Sequence, residues 1–127
     1  MGNEIVGVSL RYNTNKPKWS LMDYESMEDM LRVLAYGRHK YSTFRDESGV
    51  EHKGVDITPE QAATMECVYD GRDNWKNKTD MEVPIDSLQR HIAAIMKGEE
   101  NDKESGLPHI AHVMANAMFY SYHSRKE

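Results

Sequence analysis

Two histidines and an asparagine near the carboxyl end of the chain have the spacing of one helical face. His109, His112 and Asn116 are three and four residues apart in the stretch ESGLPHIAHVMANAMF, and side chains at these offsets are neighbours on a helix. Imidazoles can join carboxylates in holding a divalent metal, and protonated histidines can bind a phosphate. A structural polar network is the alternative, because HxxH lacks the glutamate base of the zinc-protease HExxH pattern.

A helical hairpin would bring further polar groups to this face. They are His91 and Asp86 on the preceding helix, and Asp102 and Glu104 between the two helices. Asp86 and Arg90 are four residues apart, a spacing that favours a salt bridge on a helix. Arg90 can instead face an anionic ligand, since it lies beside His91.

Glu25 and Glu28 form a second candidate site. Two carboxylates three residues apart on a helix can share Mg²⁺, which binds one or two carboxylates together with substrate phosphates. Acidic residues are also favourable at a helix N-terminus without any ion. Both readings of this pair stay open.

Aromatic and basic residues of KPKWS, GRHKY and GRDNWK form a third group. The aromatic rings can stack on a nucleobase, and the cations can bind phosphates. The rings are Trp19, Tyr41 and Trp75, and the cations are Lys16, Lys18, Arg38, Lys40 and Arg72. A tryptophan that simply packs in the core is the alternative.

Composition limits the class of protein. The chain has 127 residues, the size of a single domain, and we treat 1–127 as one. The net charge of −5 without a dense lysine or arginine block disfavours duplex nucleic acid as a partner. No apolar run is long enough to span a membrane, and the N-terminus lacks the pattern of a signal peptide. With Cys67 as its single cysteine, the protein is expected in the cytoplasm.

The elements that must position these residues are mainly helical. A short strand is predicted over 4–12, and a helix from the N-cap Asp23 to about Tyr41. The predicted buried face of this helix comprises Met27, Met30, Leu31, Leu34 and Tyr41. A helix is predicted from Ile85 or Asp86 to Lys97, ending at Gly98.

The last helix is predicted from the N-cap Ser105 to about His123. Its expected buried side comprises Ile110, Val113, Met114, Ala117 and Met118, and that of the preceding helix comprises Leu88, Ile92, Ile95 and Met96. The short loop between these helices predicts an antiparallel hairpin, which forms a small mainly α bundle with the first helix. Uncovered apolar stripes on the helices favour a homo-oligomer.

Residues 42–74 are predicted to form a long irregular insertion. Within it, Thr58, Pro59 and Gln61 have the pattern of a capping box with proline at the first helical position. The short helix that they begin is predicted to run as far as Tyr69. Long irregular connections often act as lids or binding loops.

Three segments together resemble a known family. KPKWSLMDYESMEDMLRVLAYGRHKY, DGRDNWK and DSLQRHIAAIMKGEENDKESGLPHIAHVMANAMF are similar to the phage and prophage family called the dATP/dGTP diphosphohydrolase N-terminal domain. The resemblance covers about residues 16–41 and 71–120. Usual members run almost directly from KYG to NW, whereas this chain inserts about thirty residues between Tyr41 and Asn74.

The resemblance implies that the protein handles nucleotides, in distant likeness to the all-α NTP pyrophosphohydrolases. Those enzymes hold Mg²⁺ with an EExxE and a later ExxD pattern. This chain has Glu25 and Glu28 in the first pattern but no clear ExxD, and His109 and His112 occupy the place where it is expected. The implied reaction is hydrolysis of a (deoxy)nucleoside triphosphate to the monophosphate with Mg²⁺ or Mn²⁺.

The resemblance and the spacing together define a predicted site. The catalytic candidates are Glu25, Glu28 and His91, and the metal ligands are Glu25, Glu28, Asp86 and Asp102. The substrate-binding candidates are Trp19, Lys18, Arg38, Lys40, Tyr41, Arg72, Asn74, Trp75, Arg90, His109, His112 and Asn116. One alternative is a non-catalytic binder that sequesters a nucleotide or a cyclic-nucleotide defence signal. Another is a structural helical module without a ligand.

Overall fold

The fold is mainly helical with one small sheet. The computed structural model describes Leu10 and residues 14–126; the strand predicted over 4–12 therefore falls, except for Leu10, outside the described residues. The helices are α1 (Tyr24–Lys40), α2 (Pro59–Ala62), α3 (Glu82–Met96) and α4 (His109–Ser124). Three 3-10 helices cover Trp19–Leu21, Gly54–Asp56 and Gly71–Lys76. No helix among the described residues has the length and apolar character needed to cross a membrane.

Helix α1 begins as its sequence predicts. The Asp23 side chain accepts a hydrogen bond from the Ser26 backbone N–H at 3.1 Å, which satisfies one of the unpaired donors at the helix start. Met30 and Val33 are buried, and the predicted Met27 and Leu34 pack against them. The prediction was wrong for two further residues of this face, since Leu31 and Tyr41 are 55% and 50% exposed.

The core lies where α1 meets α4. Ala111 and Ala115 are fully buried against Met30 and Val33, and their small side chains allow the two helices to approach closely. Helix α4 also packs along α3. The predicted Met114 and Met118 border this core, but Ile110 is 54% exposed. The antiparallel arrangement of the hairpin stays a prediction.

Helix α3 differs from its prediction in its start and in its buried face. It begins at Glu82, about three residues early, because Pro84 is tolerated in a first helical turn. The predicted stop is confirmed, since Gly98 takes a left-handed φ of 92°. Met96 is 81% exposed, and the apolar face of α3 is therefore only partly covered.

Helix α4 begins later than predicted. Its N-cap is Pro108, not Ser105. Ser105 belongs instead to a turn that Asp102 organises, in which the Asp102 carboxylate accepts the Ser105 N–H at 2.8 Å. The Ser105 hydroxyl accepts the Leu107 N–H at 3.2 Å. The polar residues before α4 thus order a loop and do not extend the helix.

The insertion contains a three-stranded antiparallel sheet that the sequence analysis did not predict. Strands β1 (Thr43–Arg45), β2 (Glu51–Lys53) and β3 (Glu66–Tyr69) have the order β2-β1-β3. The Thr58 capping box is confirmed, but its helix ends at Ala62 and the continuation to Tyr69 is wrong. Strand β3 is exposed along its whole length. Because neither of its faces is buried, its sequence lacks the alternation of apolar and polar residues by which a strand is recognised.

Ser42 anchors both ends of this insertion to the end of α1. The buried Ser42 hydroxyl donates to the Arg38 carbonyl at 2.6 Å and accepts the Gly71 N–H at 2.8 Å. The Ser42 carbonyl accepts the Gly54 N–H at 2.8 Å. A Cβ atom built on Gly71 would lie 2.6 Å from the Tyr41 carbonyl carbon. The chain therefore returns at Gly71 to the place where it left α1.

We expect Gly71→Ala to destabilise the protein by about 1–3 kcal/mol, because the added methyl group would push against backbone atoms that cannot move independently. Gly37→Ala is the matched control. A Cβ atom at Gly37 meets no heavy atom within 4 Å, and alanine is the better helix former by about 0.5–1 kcal/mol. Urea unfolding of both variants measures the difference. Equal stability of the two variants would contradict the close approach at Gly71.

Candidate functional site

A cavity of about 570 Å³ opens between α1, α3, α4 and the segment 71–79. Ten residues singled out in the sequence line it. Five of them are Lys40, Tyr41, Asn74, Trp75 and Arg90. The other five are His91, Asp102, Glu104, His112 and Asn116. The volume is within the range of small-molecule sites.

Three imidazoles meet at one end of this cavity. The Nδ1 atoms of His91 and His109 are 2.8 Å apart, and the rings of His91 and His112 stack with centroids 4.4 Å apart. Asp102 completes the group, since its carboxylate lies 3.8 Å from His112 Nε2. Helices α3 and α4 therefore unite the histidines that the sequence placed on separate elements.

The protonation states in this group follow from burial. Desolvation lowers the pKa of His91, and the neighbouring His112 lowers it further. Desolvation also lowers the pKa of His112, although Asp102 opposes this effect. Both imidazoles are therefore neutral near pH 7, with a lone pair that can accept a proton or a metal. This state argues against phosphate binding by protonated histidines at neutral pH.

Asp102 is held as a carboxylate. Desolvation alone would raise the pKa of Asp102, but the hydrogen bonds from Ser105 and the nearby histidines outweigh it, so that the net pKa is lowered. The same Ser105 hydroxyl contacts His112 Nε2 at 2.7 Å. One serine thus positions the acid and an imidazole together.

His91, Asp102 and His109 are suited to hold a divalent ion. One ligating atom from each lies within 4.8 Å of the others, and no further group of three or more such residues occurs in the part of the chain that the structure describes. Two imidazoles with a carboxylate are a common ligand set for divalent transition metals. The residues therefore fit a divalent transition-metal ion such as Mn²⁺, one of the two ions expected from the sequence.

A second polar group lines the same cavity. Glu104 accepts hydrogen bonds from Lys40 at 2.7 Å and from the Tyr36 hydroxyl at 2.8 Å. Burial raises the pKa of Tyr36, and the hydrogen bond to Glu104 raises it further, so Tyr36 remains a neutral donor. Tyr36 was not among the predicted site residues, although its position four residues before Lys40 on α1 could have indicated it.

Two cations of the cavity wall are unpaired within residues 14–126. Arg90 and Lys78 are exposed and have no carboxylate within 4.0 Å in that part of the chain. The salt bridge predicted between Asp86 and Arg90 is absent there. Lys78 was also overlooked, since no periodic pattern marks the segment that follows GRDNWK. Both cations are available to an anionic ligand.

The aromatic wall is rigid. Trp75 stacks on Phe119 with ring centroids 4.8 Å apart and meets the Tyr122 ring edge-on at 5.0 Å. The Trp75 carbonyl lies 2.7 Å from His123 Nε2. The Asn116 side-chain amide N–H donates to the His112 carbonyl at 2.9 Å. One hydrogen-bonding group of Asn116 is therefore already paired within α4.

The remaining predicted site residues lie outside the cavity lining. Arg38 is paired with Asp70 at 2.7 Å, and Trp19 is 71% exposed. His109 is buried and contacts the lining residue His91. The others are exposed and comprise Lys16, Lys18, Glu25, Glu28, Arg72 and Asp86. Glu25 and Glu28 belong to no three-residue ligand group among the described residues, and their metal role stays a prediction.

We expect Glu104→Gln to strengthen the binding of inorganic triphosphate, because the change frees Lys40 from its carboxylate partner. An exposed ion pair has a free energy of about 0.2–1 kcal/mol, which corresponds to an affinity change of up to about fivefold. Isothermal titration calorimetry measures this change. Glu60→Gln on α2, with the same change in net charge, should leave binding unaltered. Weaker binding by Glu104→Gln would mean that Glu104 positions Lys40 for the ligand.

Comparison with known proteins places the chain in a family. It is 27% identical over 110 residues to a protein of Salmonella phage PMBT28 named dATP/dGTP diphosphohydrolase, which covers 87% of this chain and 28% of that relative. The chain thus spans under a third of the relative's length. No solved structure has significant similarity to it. The family profile described as "dATP/dGTP diphosphohydrolase, N-terminal" matches residues 7–127. The resemblance noted in the sequence is confirmed, and the chain belongs to this family.

Proposed function

We propose that the cavity binds a (deoxy)nucleoside triphosphate and hydrolyses it to the monophosphate with a divalent ion, Mg²⁺ or Mn²⁺. The observation that carries the proposal is the meeting of three features in one cavity: cations without a carboxylate partner among residues 14–126, an aromatic wall and a histidine–carboxylate group. The name of the phage relative supports a purine deoxynucleotide as the substrate.

Phosphate binding is assigned to the basic side chains of the wall. Arg90 presents a planar guanidinium that can bind two phosphate oxygens at once. Lys78 adds a second unpaired charge, and Lys40 a third once Glu104 yields its hydrogen bond. These charges explain how a chain of net charge −5 accommodates a polyanion.

The base is assigned to the aromatic side of the cavity. Tyr41 is half exposed and lines the cavity together with Trp75. Because Trp75 is fixed by Phe119 and Tyr122, little side-chain entropy is lost when a base packs beside it. Asn74 provides an amide at the same wall for polar contacts with the ligand.

Hydrolysis to the monophosphate requires attack of water on the α-phosphorus. The bond between this phosphorus and the bridging oxygen breaks, pyrophosphate leaves, and the proton of the water passes to a base. His112 is suited to take this proton, because it is neutral and partly buried in the cavity wall. His91, the catalytic candidate from the sequence, contributes with Asp102 and His109 to the group that would hold the ion. A bound divalent ion supplies charge neutralisation for the phosphates.

A second candidate function is sequestration of a nucleotide, or of a cyclic-nucleotide defence signal, without chemistry. The observation that favours it is the position of Glu25 and Glu28, which lie outside the cavity lining. Without them, the carboxylates of the lining are Asp102 and Glu104, fewer than the acidic patterns of the related pyrophosphohydrolases provide.

One incubation separates the two candidates. The protein is mixed with dATP, dGTP, other nucleotides and cyclic dinucleotides, with Mg²⁺, with Mn²⁺ or with EDTA, and the supernatant is chromatographed before and after heating. Metal-dependent appearance of monophosphate and pyrophosphate supports hydrolysis. An intact nucleotide that disappears and returns on heating supports sequestration and contradicts hydrolysis. No change in any nucleotide contradicts both.

We expect Arg90→Ala to weaken nucleotide binding by about 10- to 100-fold, the value of a charge-assisted hydrogen bond to phosphate. Arg72→Ala is the matched control, because Arg72 was an equal candidate in the sequence but lies outside the cavity lining. Equilibrium dialysis with radiolabelled dGTP measures both. If Arg72→Ala were the more damaging change, the ligand would bind elsewhere.

A further inference from the structure

We infer that His91, His109 and Asp102 form a site for a borderline divalent transition metal, of the class of Zn²⁺, Co²⁺ or Mn²⁺, in preference to Mg²⁺. The ligating atoms are His91 Nδ1, His109 Nδ1 and an Asp102 carboxylate oxygen. The role of this ion in catalysis rests on the proposed function, but its binding is measurable without any nucleotide.

The separation of the two imidazole nitrogens supports a shared ion. Two nitrogens bound to one metal at about 2.0–2.1 Å lie about 2.9–3.4 Å apart in octahedral or tetrahedral geometry. The observed separation of His91 Nδ1 and His109 Nδ1 is 2.8 Å, close to the lower value. An Asp102 carboxylate oxygen lies within 4.8 Å of one ring nitrogen of each histidine. A small adjustment of side chains brings all three to a common ion.

A hydrogen bond between the two imidazoles is the competing explanation, and the metal titrations below distinguish it from a bound ion. In either case the second nitrogen of His109 has to be accounted for. This side chain is 5% exposed, and its Nε2 has no hydrogen-bond partner among the described residues. A neutral imidazole has one N–H and one lone pair. Nε2 therefore carries a lone pair that faces Glu99 if His109 donates, and an N–H without an acceptor at hydrogen-bond distance if His91 donates. Buried polar atoms without partners are rare and require an explanation.

Metal binding selects the second of these states. An ion on Nδ1 places the remaining hydrogen of His109 on Nε2. Metal-bound histidines usually donate this N–H to a carboxylate, which orients the ring. The Glu99 carboxylate lies 3.8 Å from His109 Nε2, and its side chain is 47% exposed, so it can approach to hydrogen-bond distance. Asp102 is oriented in turn by the Ser105 N–H at 2.8 Å.

The ligand set determines the class of ion. Imidazole nitrogen favours zinc and its transition-metal neighbours, whereas Mg²⁺ favours an all-oxygen octahedron and keeps most of its water. Three protein ligands leave coordination positions for water or for a phosphate oxygen, as in catalytic sites. The site opens to the cavity through His91 and Asp102, on the side where Arg90 lies.

The test uses the full chain and the metals alone. Calorimetric titration with ZnCl₂, MnCl₂ and MgCl₂ should give one bound Zn²⁺ per chain and an affinity for Mg²⁺ at least 100-fold lower. CoCl₂ should produce a visible absorption band from nitrogen coordination. His91→Ala and Asp102→Asn, which avoid the buried His109, should each weaken Zn²⁺ binding at least tenfold. His52→Ala, a histidine of β2 that pairs with Asp46, is the matched control and should bind as the unchanged chain does.

Nuclear magnetic resonance of the unchanged chain guards against variants that fail to fold. With ¹⁵N-labelled histidine, Zn²⁺ should shift the Nδ1 signals of two of the six histidines, His91 and His109. Zn²⁺ binding that shifts other histidines, or no stoichiometric binding at all, would overturn the inference. Because these measurements contain no nucleotide, absence of nucleotide hydrolysis with an intact metal site would count against the proposed function alone.

Discussion

The hydroxyl group of Ser42 is the contact on which the arrangement of the site depends. It is buried at the end of α1, where it donates to the Arg38 carbonyl and accepts the Gly71 N–H. A buried N–H without this acceptor would cost about 1–3 kcal/mol. The bond keeps the chain that follows the insertion against α1, so that Asn74 and Trp75 form one wall of the cavity. A change in the sequence or length of the insertion's sheet would then leave Asn74 and Trp75 in place.

The cavity separates two kinds of charge. At one end, burial keeps the imidazoles of His91 and His112 neutral. The hydrogen bonds from Ser105 outweigh the effect of burial on Asp102 and keep it ionised, and a metal requires both states. Toward solvent, Arg90 and Lys78 remain charged and exposed. A nucleotide with its phosphates at the exposed cations would present its reacting phosphorus to the buried histidines. The proposed chemistry follows from this division.

The sequence predicted the parts of the fold that have strong local signals. The Asp23 N-cap, the Thr58 capping box and the stop at Gly98 were confirmed, because each rests on a contact between residues within a few positions of one another. The sheet escaped prediction because its strands have three or four residues and little burial.

The same holds for the site, where residues on one helix were predicted from their spacing and contacts between distant segments were not. The line of His109, His112 and Asn116 lies on α4, as its spacing indicated. Arg38 and Arg72 were equally plausible as phosphate ligands, and only tertiary structure separates them from Arg90. Helix-capping patterns also do not reveal that Ser105 pairs with Asp102 and that α4 begins later. A serine before a helix can cap the helix or form a turn with a nearby residue, and the local sequence fits both.

Anomalous diffraction from crystals grown with Mn²⁺ and a non-hydrolysable dGTP analogue tests the central claim most directly. The account predicts an anomalous peak bound by His91, His109 and Asp102, with the triphosphate between that peak and Arg90. A peak between Glu25 and Glu28, or a nucleotide bound outside the cavity, would contradict it.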